Sequence, residues 1–248
     1  MPDTGPCSHR DGIISILQCC ATKDSVASAL LEWDSFEFEQ EAARRGFVAT
    51  AYRTFDEWDA SPQGEALTGV LPVFLRKVAD APPREPSPGI SPRPLNNIKT
   101  LDLTRVLAGP VCGRTLAGRY RGLLIYLAEE KLLIEYITIA HGADVLWVTS
   151  PNLPNLPLLD ADTSRRKRTT QLDLTSQDDR NKLTSLVYDA DVFLQAYRPG
   201  GLANKGFGVD DVVRLKEGKA VVYASLRAYG WEGPWKDRRG VSFLVLHR

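Results

Sequence analysis

RTTQLDLTSQDDRNKLTSLVYDADVFLQAYRPGG, residues 168–201, decides the fold. RTTQLDL is rich in β-branched residues and reads as a strand. SQDDRNKLTSLVYDA then reads as a helix whose acidic first turn, Asp178 and Asp179, complements the helix dipole. Those two carboxylates therefore serve the helix start rather than acting as a catalytic pair. DVFLQA (191–196) is a second apolar strand, and AYRPGG closes it with a turn. Strand, helix and strand joined by short connections form a βαβ unit, whose strands lie parallel.

The same alternation continues in both directions. Upstream, TLDLT (100–104) is a strand followed by a small-residue loop and a helix from Pro110, and ADVLWV (143–148) is another strand. Downstream, VDDVVRLKEG is a helix ending on Gly218, and AVVYASL (220–226) is a last strand. The fold class is α/β, with a Rossmann-like parallel sheet. Ligands of such sheets bind beyond the carboxyl ends of the strands. The loops LAGP (107–110), SPNLP (150–154) and AYRPGG (196–201) are therefore where function is expected. Glycine there permits close approach of backbone to ligand, and the helix starts behind the loops favour anions. RRKR (165–168) adds a basic cluster that can pair with phosphates. Read without a ligand, the same features are ordinary turns and a solvated charged face.

A different texture precedes residue 100. Residues 25–46 read as one helix with Val26, Leu30, Leu31, Phe36 and Phe38 as its apolar stripe and Gly46 as its stop. FVATAYRT (47–54) reads as a strand, with Thr54 capping the FDEW turn, and VFLRKVAD (73–80) as a second strand. Six prolines in the fourteen residues 81–94 make an extended linker. The expected organisation is a small α+β segment over 1–80, a linker over 81–97 and an α/β domain over 98–248.

The 248 residues carry equal numbers of acidic and basic side chains, 31 of each, which argues against a nucleic-acid partner. The four cysteines, Cys7, Cys19, Cys20 and Cys112, have no metal-ligand spacing and are too few for a disulfide framework. Cys112 falls on the first turn of a helix, where a thiolate is favoured, although a small buried side chain is its default role. His141, beside Gly142, reads as a turn residue, and Trp231 and Trp235 read as packing residues with a possible second role over a substrate entrance. The N-terminus lacks the build of a signal peptide, and glutamates and a lysine interrupt the longest apolar stretch. The expected location is cytoplasmic, or an organelle lumen of reducing type, with no membrane partner.

The ordered motifs carry more than any single one. LDLTRVLAGPVCGRTLA, HGADVL, KRTTQLDL, DADVFLQAYRPGGL, GFG and YGWEGPWKDRRG, spread over residues 95–240, closely resemble the family III CoA-transferases. That family, also called CaiB/BaiF, includes formyl-CoA and carnitine-CoA transferases, with α-methylacyl-CoA racemases as relatives. WDSFEFEQEAARRGFVATAYRTFDEWDASPQG resembles the small-domain stretch near the end of such a unit, which implies a parent with two tandem units. The resemblance implies transfer of CoA between an acyl-CoA and a carboxylic acid, with CoA as substrate and no permanently bound cofactor. It also implies an interlocked homodimer in intact members.

By position, Arg105, Val106, Leu107 and Ala108 would lie by the thioester end and pantetheine. Leu172 and Thr175 would line the nucleotide, and Ala196, Tyr197, Arg198, Gly201 and Asn204 would hold the adenine and phosphates. Leu107 stands where the formyl-CoA enzyme has glutamine, and Thr175, Asn204 and Ser150 stand where it has basic residues. Arg105 and Arg198 compensate in charge. In the resembling enzymes an aspartate carboxylate attacks the acyl-CoA, giving an anhydride and then an aspartyl-CoA thioester. The resemblance places that aspartate beyond the last motif, so this stretch reads as a truncated, inactive piece with no catalytic residue. A racemase-like parent and a non-catalytic CoA-binding module are the alternative readings.

Two segments depart from the family pattern. Residues 118–139 intervene between the first helix and the second strand, and 241–248 replace the expected continuation. As a continuous helix the first would add about 33 Å. The codons for Gly118, Arg119 and Tyr120, for Ile139 and Ala140, and for Val241 and Ser242 permit splice-site sequences. Translated intron is therefore the reading taken for both segments.

Overall fold

The computed structural model describes residues 6–83, 93–118 and 141–240. The tail 241–248, the insertion after Gly118 and the middle of the proline-rich linker lie outside the described residues.

The described chain forms two compact units. One is the α/β unit, residues 77–226. Its strands are β1 (Lys99–Leu103), β2 (Asp144–Thr149), β3 (Arg168–Gln171), β4 (Val192–Gln195) and β5 (Val222–Ser225). All four strand pairs are parallel, in the order β3-β2-β1-β4-β5. The chain builds outward from β1 to β3, then returns to the other side of β1 for β4 and β5. The order therefore reverses between β1 and β4, and their carboxyl ends flank the crevice that parallel sheets use for ligands.

Helices cover both faces. Leu101 and Leu103 of β1 and Phe193 of β4 pack with Leu183 and Val187 of α8 (Gln177–Asp189) and Val212 of α9 (Val209–Leu215). On the other face, Ala117 of α6 (Ala108–Ala117) packs with Ala143 and Val145. Burying each large side chain contributes about 1.5–3 kcal/mol. The alternation in TLDLT explains the division. Leu101 and Leu103 point to α8, while Asp102, on the opposite face, lies against Gly113 of α6. A short helix α7 (Pro157–Thr163) precedes β3.

The second unit joins the described residues 6–76 to 227–240. Its described helices are α1 (Pro6–Leu17), α2 (Lys23–Leu30), α3 (Ser35–Arg44), α4 (Phe55–Asp59) and α5 (Pro62–Ala66). The single helix expected over 25–46 is two. Asp34 accepts from the amides of Phe36 and Glu37 at 2.9 and 3.0 Å and starts a new helix, because a carboxylate satisfies the orphan donors of a first turn. Of the expected stripe only Phe38 is buried, while Leu30, Leu31 and Phe36 are exposed. Ile16, Leu17, Phe38 and Ala42 form that unit's core instead.

Neither strand expected in this segment forms a ladder. Residues 47–54 have no partner strand, and the Ala51 amide donates to the Glu39 carboxylate at 3.3 Å. In 73–80, Val73 and Leu75 are exposed, so no face of that run is buried as a strand needs. Thr54 does cap α4, in a reciprocal arrangement with Glu57. Gly46 ends α3 region with φ +76°, a conformation glycine adopts without a Cβ penalty. No helix among the described residues is long and apolar enough to cross a membrane.

Candidate functional site

The loop that leaves β1 is held at both ends. The Trp147 indole Nε1 donates to the Thr104 carbonyl at 2.9 Å, and the Lys167 ammonium donates to the Pro110 carbonyl at 2.7 Å. Between these anchors Val106 has φ +72°, which is costly for a β-branched residue. Leu107 starts α6 without a side-chain cap. Arg105 donates to the Pro154 carbonyl and so ties this loop to the loop after β2.

The loop after β4 lies beside it. A Cβ added to Gly109 would come within 2.4 Å of the Thr104 Cβ and 3.0 Å of the Ala196 Cβ, so glycine permits the close approach. Gln195 accepts from the Tyr197 amide at 2.9 Å and fixes the turn out of β4. Gly200 has φ +79°, the Gly201 amide donates to the Arg198 carbonyl at 2.9 Å, and the Asn204 amide to the Gly200 carbonyl at 2.8 Å. A 3-10 turn, Ala203–Lys205, follows. Arg105, Val106, Leu107 and Ala108 therefore stand on the same sheet edge as Ala196, Tyr197, Arg198, Gly201 and Asn204.

Leu172 and Thr175 reach the edge differently. Leu172 is buried in the core shared with α8, so its side chain supports the loop from below. Thr175 is exposed, and its amide and hydroxyl donate to Asp173 at 2.9 and 2.7 Å. Those bonds, with the Asn152 side chain, hold the Asp173 carboxyl below its ordinary range. Lys205 also acts on Asp173 electrostatically, a cation beside Asn204 that the residue-by-residue reading passed over.

The basic cluster has other work. Arg168 begins β3 and pairs with Asp144, which begins β2, at 2.9 and 2.6 Å. That is the amino end of the sheet, opposite the loops. Arg165 faces Asp162 at 3.6 Å, and Lys167 is wholly buried. Burial withdraws Lys167 from the phosphate pairing expected of RRKR, whereas Arg165 and Arg168 make ion pairs at the surface.

Lys167 is the residue that pattern reading missed. Its ammonium lies 2.8 Å from the Asp102 carboxylate and 5.4 Å from the centre of the Trp147 ring, and neither charged side chain is exposed. Thr104 Oγ1 also donates to Asp102. Burial pushes the Asp102 carboxyl up and the Lys167 ammonium down, each opposed by the partner's charge. The one legible signal was a polar residue at every second position of TLDLT, in a strand buried on both sides.

Cys112 donates to the Ala108 carbonyl at 3.3 Å, and burial pushes its thiol up, against a thiolate. His141 precedes Gly142, which has φ +75°. In the other unit, Trp235 packs edge-on against Trp58 and Tyr229, and the Arg227 guanidinium lies 3.8 Å over the Trp231 ring. Among the described residues no cluster of His, Cys, Asp and Glu could hold a metal ion.

Residues 143–247 match the model of CoA-transferase family III. An acetyl-coenzyme A transferase of Hypoxylon pulicicidum is 36% identical over 161 residues, which are 64% of this chain and 23% of that protein. An acyl-CoA transferase of Gibberella moniliformis is 29% identical over 226 residues, 89% of this chain and 36% of the relative. The chain thus spans between about a quarter and a third of the length of these curated relatives. A solved CaiB/BaiF family protein from Brucella suis is 25% identical with a TM-score of 0.48, over 61% of this chain and 38% of that one.

Proposed function

On the premise that residues 143–247 are CoA-transferase family III sequence, we propose that the crevice between the loops after β1 and β4 binds the CoA part of an acyl-CoA. In the whole enzyme it would serve transfer of CoA to a carboxylic acid. CoA enters and leaves as substrate, and no resident cofactor takes part. The observation that carries this reading is the switch in strand order between β1 and β4, with Gly109 against Thr104 and Ala196 closing the two loops on each other.

The nucleotide end goes to Ala196, Tyr197, Arg198, Gly201 and Asn204, with Thr175 and Lys205 alongside. The pantetheine and thioester go to Arg105–Ala108. Glycine at 200 and 201 leaves backbone close to the phosphates, and Arg198 offers them a guanidinium. Leu172 holds this surface from inside the core.

Acyl transfer in this family asks for a carboxylate nucleophile at the thioester. Asp102, on the strand that leads into this loop, is buried, paired with Lys167 and hydrogen-bonded by Thr104, so its carboxylate is not open to a ligand. The reading is therefore binding without turnover by these 248 residues alone, and a complete active site in an assembly that supplies the nucleophile. An interlocked homodimer and a reducing compartment belong to the same proposal.

Calorimetry on the purified chain tests it. Saturable binding of CoA, competed by acetyl-CoA and weakened about tenfold by Arg198→Ala, is expected for loss of one charge-assisted contact. Labelled CoA should not move from acyl-CoA to free carboxylic acids above background. Absence of binding at millimolar CoA refutes the site, and turnover abolished by changing a resident aspartate refutes the role given to Asp102. Turnover accompanied by racemisation at the α-carbon would instead favour a racemase-like parent.

A further inference from the structure

The backbone between Thr104 and Pro110 would not hold its shape unaided. Val106 sits in the left-handed region and Leu107 caps nothing. Trp147 of β2 holds the Thr104 carbonyl at the loop's start, and Lys167, just before β3, holds the Pro110 carbonyl in the first turn of α6. Lys167 is itself set by Asp102, and Asp102 by Thr104 Oγ1, so the contacts close a circuit under the loop. Gly113 makes the circuit possible: a Cβ there would stand 2.0 Å from Asp102 Oδ2 and 3.0 Å from Lys167 Nζ.

A buried ion pair is a poor way to gain stability, since apolar residues of similar volume do as well or better. A pair whose cation also grips a loop carbonyl has a second use. We propose that Asp102, Lys167 and Trp147 are positioning residues, which hold the backbone of Arg105–Ala108 in the one conformation that receives the thioester end of CoA. This rests on the assignment of that loop to pantetheine and thioester made above. None of the three touches the ligand; they act through the carbonyls of Thr104 and Pro110.

The geometry separates the two ends of the ligand, and so does the test. Trp147→Phe keeps the ring and removes only the indole donor. Asp102→Asn with Lys167→Met removes both charges together and strands neither. Affinity is measured for CoA and for adenosine 3′,5′-bisphosphate, which has the nucleotide but no pantetheine. Each variant should lose about tenfold on CoA and keep its affinity for the nucleotide within about twofold. Equal weakening of both ligands, or of neither, overturns the proposal, because a merely structural role has no reason to spare the nucleotide. Hydrogen exchange gives a readout that needs no ligand. Amides of residues 105–108 should exchange about tenfold faster in Trp147→Phe, with β1 and β4 unchanged. If the unmodified chain binds neither ligand, the CoA assignment fails, and exchange still decides the positioning role. Unchanged exchange in the loop sinks it.

Discussion

Glu41 shows how far a single half-buried residue can be read. Arg44 holds its carboxylate with two bonds, at 2.7 and 2.8 Å, and Arg45 adds a third at 2.5 Å. The Arg44 hydrogen bonds, then those of Arg45, pull the carboxyl from 4.5 down to about 2. A depressed carboxylate favours the folded state above its unfolded pKa, and that contribution disappears as pH falls through the folded pKa. Glu41→Gln should therefore lower the thermal midpoint at pH 7, with the difference shrinking between about pH 4.5 and 2. High salt should shrink it further, because the group is partly open to solvent. A difference that grows as pH falls through this window would contradict the assignment. The i,i+3 and i,i+4 spacing of these residues was legible in the chain. The Asp102–Lys167 pair was not, because its partners are 65 residues apart and meet only when β1 and the entry to β3 flank β2.

Among elements, the start of α6 makes a tight joint near the site. Gly109 lies where α6 crosses the ends of β1 and β4, and a methyl group there would overlap Thr104. Gly109→Ala should destabilise the α/β unit by about 1–3 kcal/mol, read as a lower denaturant midpoint at unchanged slope. A midpoint equal to that of the parent chain would mean that the helix can step away from the sheet at no cost. The five strands and the helices α6, α8 and α9 were each visible as apolar runs or acidic helix starts. The break between α2 and α3 was not read, although Asp34 before SFEFE is a helix-start signal. A continuous apolar count outweighed it, and the structure leaves Leu31 86% exposed at the break.

At the scale of the molecule, one unit is discontinuous in sequence, with its two pieces joined through Gln63. That side chain is fully buried, donates to the carbonyls of Tyr229 and Glu232 at 2.8 Å each, and accepts from the Trp235 amide at 2.7 Å. Gln63→Ala leaves three backbone groups, two of them in buried bonds, without this partner and should cost about 2–4 kcal/mol. Limited proteolysis should then cut residues 227–240 faster while the sheet of the α/β unit stays protected. Equal cleavage of both chains would show that other contacts hold this piece. The expected boundary kept these residues with the α/β domain because they follow β5 directly and carry its motif order. Compactness groups them with residues 6–76.

What the sequence determined by itself is the α/β class, the order of strands over residues 99–225 and the loops that bear glycine, because these depend on short-range periodicity and turn chemistry. Motif order added the resemblance to the family III CoA-transferases. What tertiary structure alone decided is which polar groups are used up inside: Lys167 on Asp102 and Pro110, Arg168 on Asp144, Gln63 on the 229–235 turn. A charge in a sequence looks the same whether it faces water, a phosphate or a buried carboxylate. Its role is set by desolvation and by partners within a few ångströms, and only the folded chain brings those together.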